Sequence, residues 1–520
     1  MVAINLFHKP SFGNKIAGIT CQVQISALLA AMLGYAARFY LTEPTLASQY
    51  RPRPVPENTS PEYFLNKAVK LIDESLTECD DAPPPICVVQ ALIITTHCQL
   101  TRGVHGKAWR SLGMCVRLAY ELNLHLIDAR SGSRMRQRDP VQWRDDEEKR
   151  RAWWAIWEMD VFASTIRRTP TALDWAHMET LLPVDDTDWS SDRPASSTFL
   201  ARDPIQRWKT LEATGNHSPK AWFLVINSLM KDAQLISDPM GVSSEPDMVR
   251  SSASPKEYSN GTSPSTVKDA RQQLEMLANA VKCFVLALPQ HLRYNGLCLT
   301  FDPPESPRVV SMRQLHCGIY NIFVMTQLAR LMIHRYHLFR QPAYSGQSGR
   351  EDRPDSSSGP MYLDMDNLCI RQYFEAADNI LTIVSRSSED HIRHINPFLL
   401  STIWLACAAQ LVRKYLGPAW INPSLVKSRY DVLYLTYKRC VSFWDAKTAL
   451  QENLESLEMH LERHFQVTED EAPRTSWARE SLAQRRMVYS SCVSDHSNPG
   501  QQATNRLSAF ALQKLPTRGH

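Results

Sequence analysis

The most constraining feature of this 520-residue chain is a run of twelve residues that is apolar on nearly every side of a helix. The run, AWWAIWEMDVFA, spans residues 152–163, with acidic residues before it at 145–148 and Arg167 and Arg168 after it, just before Pro170. Acidic residues at the amino end of a helix, basic residues at the carboxyl end and a proline beyond it are typical helix boundary signals. A helix that is apolar all round must be enclosed by other helices. The run therefore predicts a helix that starts at Asp145 and lies inside a large core.

Further helices follow from apolar residues at helical spacing, the clearest being residues 106–122 directly upstream. There the periodic positions are Ala108, Leu112, Cys115, Val116, Ala119 and Leu122. The same period predicts helices at residues 26–40, 63–76, 88–100, 221–236, 270–288, 311–339, 367–384 and 397–415, and a helical stretch at 430–461. Short turns between helices favour antiparallel neighbours. The predicted fold class is all-α, a large multi-helix bundle of antiparallel helix pairs.

Two polar segments interrupt this pattern without apolar periodicity. Residues 241–266 and residues 344–360 are rich in Ser, Pro, Gly and Asn, which is the composition of disordered segments. We interpret both as disordered insertions within one domain of residues 1–465. Residues 466–520 are polar and mixed, and we expect a loose carboxyl-terminal tail.

Composition argues against several classes of protein. The formal net charge of +4 is weak for a dedicated nucleic-acid-binding domain. The twelve cysteines are scattered and none forms a C-x-x-C pair, which argues against a zinc site and a disulfide scaffold and favours a reducing compartment. The apolar run at residues 25–35 is too short to cross a bilayer, so no membrane association is expected.

Several of these segments resemble the fungal-specific transcription factor domain, the regulatory region that follows the DNA-binding module in many fungal zinc-cluster activators. Trp109 with LGMCVRLAYELNLH resembles one of its helices, and the charged helix start with Trp153 and Trp154 resembles the next. The opening NLFHKPSF at residues 5–12 resembles its L-H-R-P-T-F turn. The chain departs from the family at Arg168, where the family usually has Gly.

The resemblance implies a transcription regulator in the nucleus, pathway-specific for a nutrient or specialised-metabolite gene cluster. The implied partners are a second copy or a zinc-cluster factor, the transcription machinery and a small-molecule effector. In the family a six-cysteine zinc cluster precedes the opening turn, and here only Met1 to Asn5 do. We therefore expect DNA contact only indirectly or through a missing amino terminus, and no cofactor in this chain other than zinc in such a cluster. A mis-predicted gene start is the first explanation, and a coregulator or scaffold deficient in DNA binding is the alternative.

Catalytic motifs are missing from the sequence, which has no G-x-S-x-G, no Walker loop and no H-E-x-x-H. A helical magnesium-dependent isoprenoid enzyme is the competing class, since Asp145 and Asp146 form an acidic pair. Lys149, one turn after Asp145, would repel the metal, and we interpret the acidic residues as a solvated helix start. The histidine pairs His334 with His337 and His460 with His464 lack a further ligand in the sequence. The prediction is no enzyme, no catalytic residue and no metal site.

Asp160 is the one carboxylate close to the tryptophans that needs a partner, because a buried carboxylate must be paired or hold its proton. The first interpretation is an ion pair with a neighbour such as Arg117 on the preceding helix. The second is a pocket for a small effector, since helix bundles hold ligands in their cores. The residues of this candidate effector pocket or buried polar cluster are Trp109, Arg117, Trp153, Trp157 and Asp160.

Overall fold

The computed structural model describes residues 4–41, 60–129, 139–237, 264–301, 312–340, 363, 365–418, 420–446 and 450–470. Within these ranges the chain forms sixteen α-helices and no β-strand. Two extended residues, Leu299 and Ser387, form an isolated bridge. The predicted all-α class is confirmed.

The helices follow one another with short connections in both parts of the chain. The first nine are α1 (Phe12–Ala17), α2 (Gln22–Leu41), α3 (Pro61–Cys79), α4 (Ile86–Arg102), α5 (Gly106–Glu121), α6 (Pro140–Arg167), α7 (Asp186–Ser190), α8 (Pro204–Thr214) and α9 (Pro219–Ile236). The other seven are α10 (Pro264–Ala287), α11 (Met312–Arg340), α12 (Leu368–Ser385), α13 (His391–His394), α14 (Leu400–Leu416), α15 (Pro423–Trp444) and α16 (Leu450–Asp470).

Four helices begin with a capping side chain followed directly by proline. The pairs are Ser60 with Pro61, Asp203 with Pro204, Ser218 with Pro219 and Asn422 with Pro423. The capping oxygen accepts a hydrogen bond from a first-turn amide, and proline fits there because its missing N–H would have no partner within the helix. Local sequence chemistry therefore sets where these helices start.

Helix α6 lies in the middle of the fold and contacts α4, α5 and α9. Around it, α2 packs along α3 and α4, α11 packs between α9 and α12, and α14 packs against α12, α15 and α16. The buried apolar side chains of these helices form one continuous cluster that extends from Ile4 to Leu461. The described parts of the chain thus share one core.

Two glycines permit the closest approaches between helices. A Cβ atom on Gly34 of α2 would lie 2.8 Å from Leu65 Cδ2 of α3, and one on Gly318 of α11 would lie 2.7 Å from Pro219 Cβ of α9. Both distances are too short for carbon atoms. Larger residues at these positions would force the helices apart.

Three boundaries differ from those predicted. Helix α6 begins at Pro140, not at Asp145, and residues 264–266 of the predicted insertion begin α10. The stretch at 430–461 is divided at Asp445, whose φ of +52° ends α15. Residues 241–263 and 344–360 of the predicted insertions lie outside the described residues, as do tail residues 471–520. The limits of the 1–465 domain stay a prediction.

Candidate functional site

The carboxyl-terminal half of α6 carries three fully buried tryptophans, Trp153, Trp154 and Trp157. The Trp154 indole Nε1 donates a hydrogen bond to the Leu181 carbonyl oxygen at 2.7 Å. Trp153 Nε1 lies 3.0 Å from the Met178 sulfur. The tryptophans therefore do more than fill the core, because two of them also hold the segment that returns over α6.

Asp160 lies on the same half of α6 and is 1% exposed. Its Oδ2 accepts hydrogen bonds from the backbone amides of Ala172 and Leu173 at 2.8 and 2.9 Å. Burial raises the pKa of Asp160, although these two amides and the charge of Lys231 act in the opposite direction. The carboxylate thus fastens the turn that follows α6.

The predicted ion pair between Asp160 and Arg117 is wrong. Arg117 lies on the exposed face of α5 and makes no ion pair with Asp160. Backbone amides freed at the end of α6 satisfy one oxygen of the carboxylate, while the guanidinium stays hydrated, which costs less than burying it. Trp109 is half-buried and its ring lies 5.0 Å from the Arg167 guanidinium carbon. The structure therefore separates Arg117 from the buried Trp153, Trp157 and Asp160, and the effector pocket itself stays a prediction.

The amino-terminal half of α6 holds a buried network of charged side chains that the sequence interpretation missed. Glu147 is fully buried and accepts hydrogen bonds from Arg150 at 3.2 Å and Arg151 at 3.0 Å. Arg150 also makes two hydrogen bonds of 2.8 Å to the carboxylate of Asp128. Burial alone lowers the pKa of Arg150, but the bonds and charges of Asp128 and Glu147 outweigh it and raise the pKa above its ordinary value.

This network holds the same returning segment as the tryptophans. Glu147 accepts a hydrogen bond from the Val184 amide at 3.0 Å, and Arg151 donates to the Val184 carbonyl oxygen at 2.9 Å. Asp128 accepts one from the Leu181 amide at 3.0 Å. Both halves of α6 therefore position the segment that contains the Leu-Pro pair. The sequence signal was the placement of Arg150 and Arg151 three and four residues after Glu147, which is also the signal of a solvated pair.

The amino-terminal turn is fastened to the start of α6. His8 is fully buried, and its Nε2 lies 2.9 Å from the Trp189 carbonyl oxygen and its Nδ1 2.8 Å from Ser11 Oγ. The His8 backbone amide donates to Glu148 at 3.4 Å, and Lys15 pairs with the same carboxylate. Burial lowers the pKa of His8, which favours the neutral ring.

Glu158 connects α6 to the later part of the chain. It is 5% exposed and binds both Lys220 at the start of α9 and the side-chain amide of Asn396 before α14. The Asn396 backbone amide donates in turn to Asn321 Oδ1 of α11 at 3.1 Å. A cavity of about 70 Å³ lies beside this junction.

In the described ranges, no group of three His, Cys, Asp or Glu side chains is placed to hold a metal ion. Asp145 lies 2.9 Å from Lys15 Nζ. Burial acts to raise its pKa, but Lys15 and Arg144 outweigh it and lower the pKa. Each predicted histidine pair includes a side chain, His337 or His464, that lies outside the described part. None of the helices that the structure describes has the length and apolarity to cross a membrane.

Comparison with known proteins finds similarity over the region built around α6. Residues 2–235 match the family model described as fungal specific transcription factor domain. The tropolone cluster transcription factor tropK of Talaromyces stipitatus is 30% identical over 139 residues, 27% of this chain and 24% of the relative. Transcription factor tazR of Aspergillus terreus is 28% identical over 118 residues, 23% of this chain and 18% of the relative.

The citrinin biosynthesis transcriptional activator mrl3 of Monascus ruber is 31% identical over 139 residues, 26% of this chain and 27% of the relative. The matched segment thus spans between 18% and 27% of these three relatives' own length. No solved structure matches the chain.

Proposed function

Because residues 2–235 belong to the fungal specific transcription factor domain family, we propose that this chain is a pathway-specific transcription regulator. Its proposed targets are the genes of one specialised-metabolite cluster, and its proposed place of action is the nucleus. The family match is the observation that carries the proposal. The relatives' names support its finer part, since they refer to a tropolone cluster and to citrinin biosynthesis.

The proposed mode of action is regulation through protein contacts, without catalysis. The proposed partners are a second copy of the chain or a zinc-cluster factor, together with the transcription machinery, and DNA would be reached through them or through a further segment. An exposed apolar stripe on α15 supports such contacts. It consists of Leu425, Val432 and Leu435, which are 52%, 41% and 61% exposed. Their spacing of seven and three residues places them on one face of the helix.

The central experiment is chromatin occupancy of the native protein, tagged at its own locus, together with transcript profiles of a deletion strain. We expect occupancy at the promoters of one gene cluster and loss of those transcripts in the deletion strain. Uniform or absent occupancy with unchanged transcripts would contradict the proposal. The matched control is a strain that carries the same tag on an unrelated nuclear protein.

The contact surface has its own test. Replacing Leu425→Asp and Leu435→Asp together removes the α15 stripe without touching the core. The control replaces Leu286→Asp and Leu297→Asp, which are 73% and 66% exposed elsewhere. We expect only the α15 pair to lower self-association in sedimentation or reporter activity in cells. Equal behaviour of the two double variants would exclude this surface.

A further inference from the structure

A cavity of about 410 Å³ opens between the amino-terminal segment and the starts of α2, α4 and α6, and none of the predicted effector-pocket residues lines it. Its lining is mostly apolar. The apolar lining residues are Phe7, Phe12, Ile16, Ile19, Leu28, Pro85, Ile86 and Cys87. The rings of Phe7 and Phe12 lie 5.1 Å apart at an interplanar angle of 58° and form an aromatic wall. This volume falls within the usual range of roughly 300–1,000 Å³ for small-molecule sites.

One buried polar group in this cavity has an unused hydrogen-bond acceptor. Gln90 is 3% exposed and lines the cavity. Its Nε2 donates to the Leu6 carbonyl oxygen at 3.1 Å, and no described residue donates to its Oε1. A buried carbonyl without a donor is costly. The position therefore favours a ligand with a hydroxyl or N–H group.

The charges at the mouth of the cavity cancel. Lys15 and Lys149 face Asp145 and Glu148 there, so the lining holds two cations and two carboxylates. Lys15 already pairs with both carboxylates. A charged ligand would gain little net attraction and would lose its hydration, which disfavours anions and cations equally.

We propose that this cavity binds a small uncharged aromatic molecule that carries a hydroxyl group. Its ring packs on Phe7 and Phe12, and its O–H donates to Gln90 Oε1. Such a ligand contacts α4 and α6 together with the segment that carries His8, and so links the amino-terminal turn to the central helix. The inference concerns binding alone, so its failure and that of the proposed transcriptional function are distinguishable.

The probe for this site is 1-naphthol, titrated against the purified full chain by calorimetry. The comparison ligands are naphthalene, which lacks the hydroxyl, and 1-naphthoate, which is an anion. We expect saturable binding of one molecule, with 1-naphthol about tenfold tighter than naphthalene because it gains one hydrogen bond to a buried acceptor. We expect 1-naphthoate to bind more weakly than either.

Two variants test the geometry, each with a matched control. Gln90→Leu is expected to weaken 1-naphthol about tenfold and to change naphthalene by less than about twofold. The control Gln99→Leu lies on the same helix outside the cavity and should leave both affinities unchanged. Ile19→Trp fills the cavity and should weaken both ligands at least about tenfold. Its control, Ile205→Trp, places the same side chain at an exposed position of α8.

Three outcomes would overturn the proposal. The first is no saturable 1-naphthol binding up to about 1 mM, which corresponds to a binding free energy of only about −4 kcal/mol. The second is unchanged affinity in Ile19→Trp, and the third is an equal loss of 1-naphthol and naphthalene affinity in Gln90→Leu. Thermal unfolding of each variant shows whether it folds. If Gln90→Leu does not fold, Ile19→Trp and its control decide alone.

Discussion

The two halves of α6 are both buried, but opposite kinds of side chain are buried in them. Residues 152–167 bring Trp153, Trp154 and Trp157 into the core, and residues 140–151 bring in Glu147, Arg150 and Arg151. The aromatic half is stabilised by removing apolar surface from water, which requires no particular partner. In the charged half, each side chain is stabilised only while its partners are in place. Polarity in the sequence therefore did not predict which half faces solvent.

This contrast also concerns robustness. A buried ion pair contributes little net stability compared with an apolar pair of the same shape, yet losing one member leaves an uncompensated charge in the core. Glu147 serves two arginines and the Val184 amide, so its loss affects three groups at once. The aromatic half should yield gradually to truncation, whereas the charged half should fail when one charge is removed. Four measurements test this difference.

The largest effect is expected from Trp154→Ala in the aromatic half. It creates a cavity and leaves the Leu181 carbonyl without its donor, so we expect the free energy of unfolding to fall by about 3–5 kcal/mol in urea denaturation. Trp420→Ala is the control, since this side chain is 74% exposed, and its change should stay within about 0.5 kcal/mol. Similar losses for both variants would show that burial of Trp154 does not stabilise the fold.

In the charged half, Glu147→Gln keeps the size of the side chain and removes its charge. We expect a loss of about 3 kcal/mol in the same assay, because Arg150 and Arg151 lose a shared counter-charge inside the core. Glu275→Gln is the control, since its pair with Arg271 is exposed on both sides. A loss below about 1 kcal/mol for Glu147→Gln would mean that hydrogen bonding, not charge, holds this network.

The same change of carboxylate to amide should have a small effect in the aromatic half. Asp160→Asn keeps an oxygen that can accept from the Ala172 and Leu173 amides, and it removes a charge from an apolar site. We expect a loss of about 1 kcal/mol or less. If Asp160→Asn destabilises the protein as much as Glu147→Gln, the two halves of α6 do not differ as described.

The smallest expected effect is a dependence on pH at Asp160. Burial raises its pKa, so in mildly acidic solution the native state holds a proton that the unfolded chain has released. This contribution to stability is fully present below the unfolded pKa of about 3.9 and is lost as pH rises through the native pKa.

Lowering the pH from about 7 towards about 4 should therefore shift the difference in unfolding free energy in favour of the natural protein over Asp160→Asn. Urea denaturation of the two proteins in parallel at each pH measures this difference. Titration of other groups cancels in the comparison. A constant difference would show that Asp160 has an ordinary pKa.

Much of the fold followed from local patterns. The predicted helix at residues 106–122 corresponds to α5, and residues 221–236 lie within α9. The family resemblance was confirmed for residues 2–235. The start of α6 was placed too late, because the acidic residues were taken as a solvated first turn, and Pro140 marks the start instead.

The candidate site was predicted only in part. Trp153, Trp157 and Asp160 are buried as expected, but Asp160 binds the backbone of the turn after α6, and Arg117 faces solvent. Neither the network around Glu147 nor the unused acceptor of Gln90 was anticipated. Each depends on the return of a distant segment, namely residues 178–184 for Glu147 and the amino terminus for Gln90.

The sequence by itself determined that this chain is helical and which helix faces are apolar, because helical periodicity involves residues only three and four positions apart. The tertiary structure alone decided the partners of the buried charges. Arg150 meets Asp128 from 22 positions away, and His8 meets Glu148 from 140 positions away. A charge can be buried only where such a partner arrives, and the path of the whole chain sets where that happens.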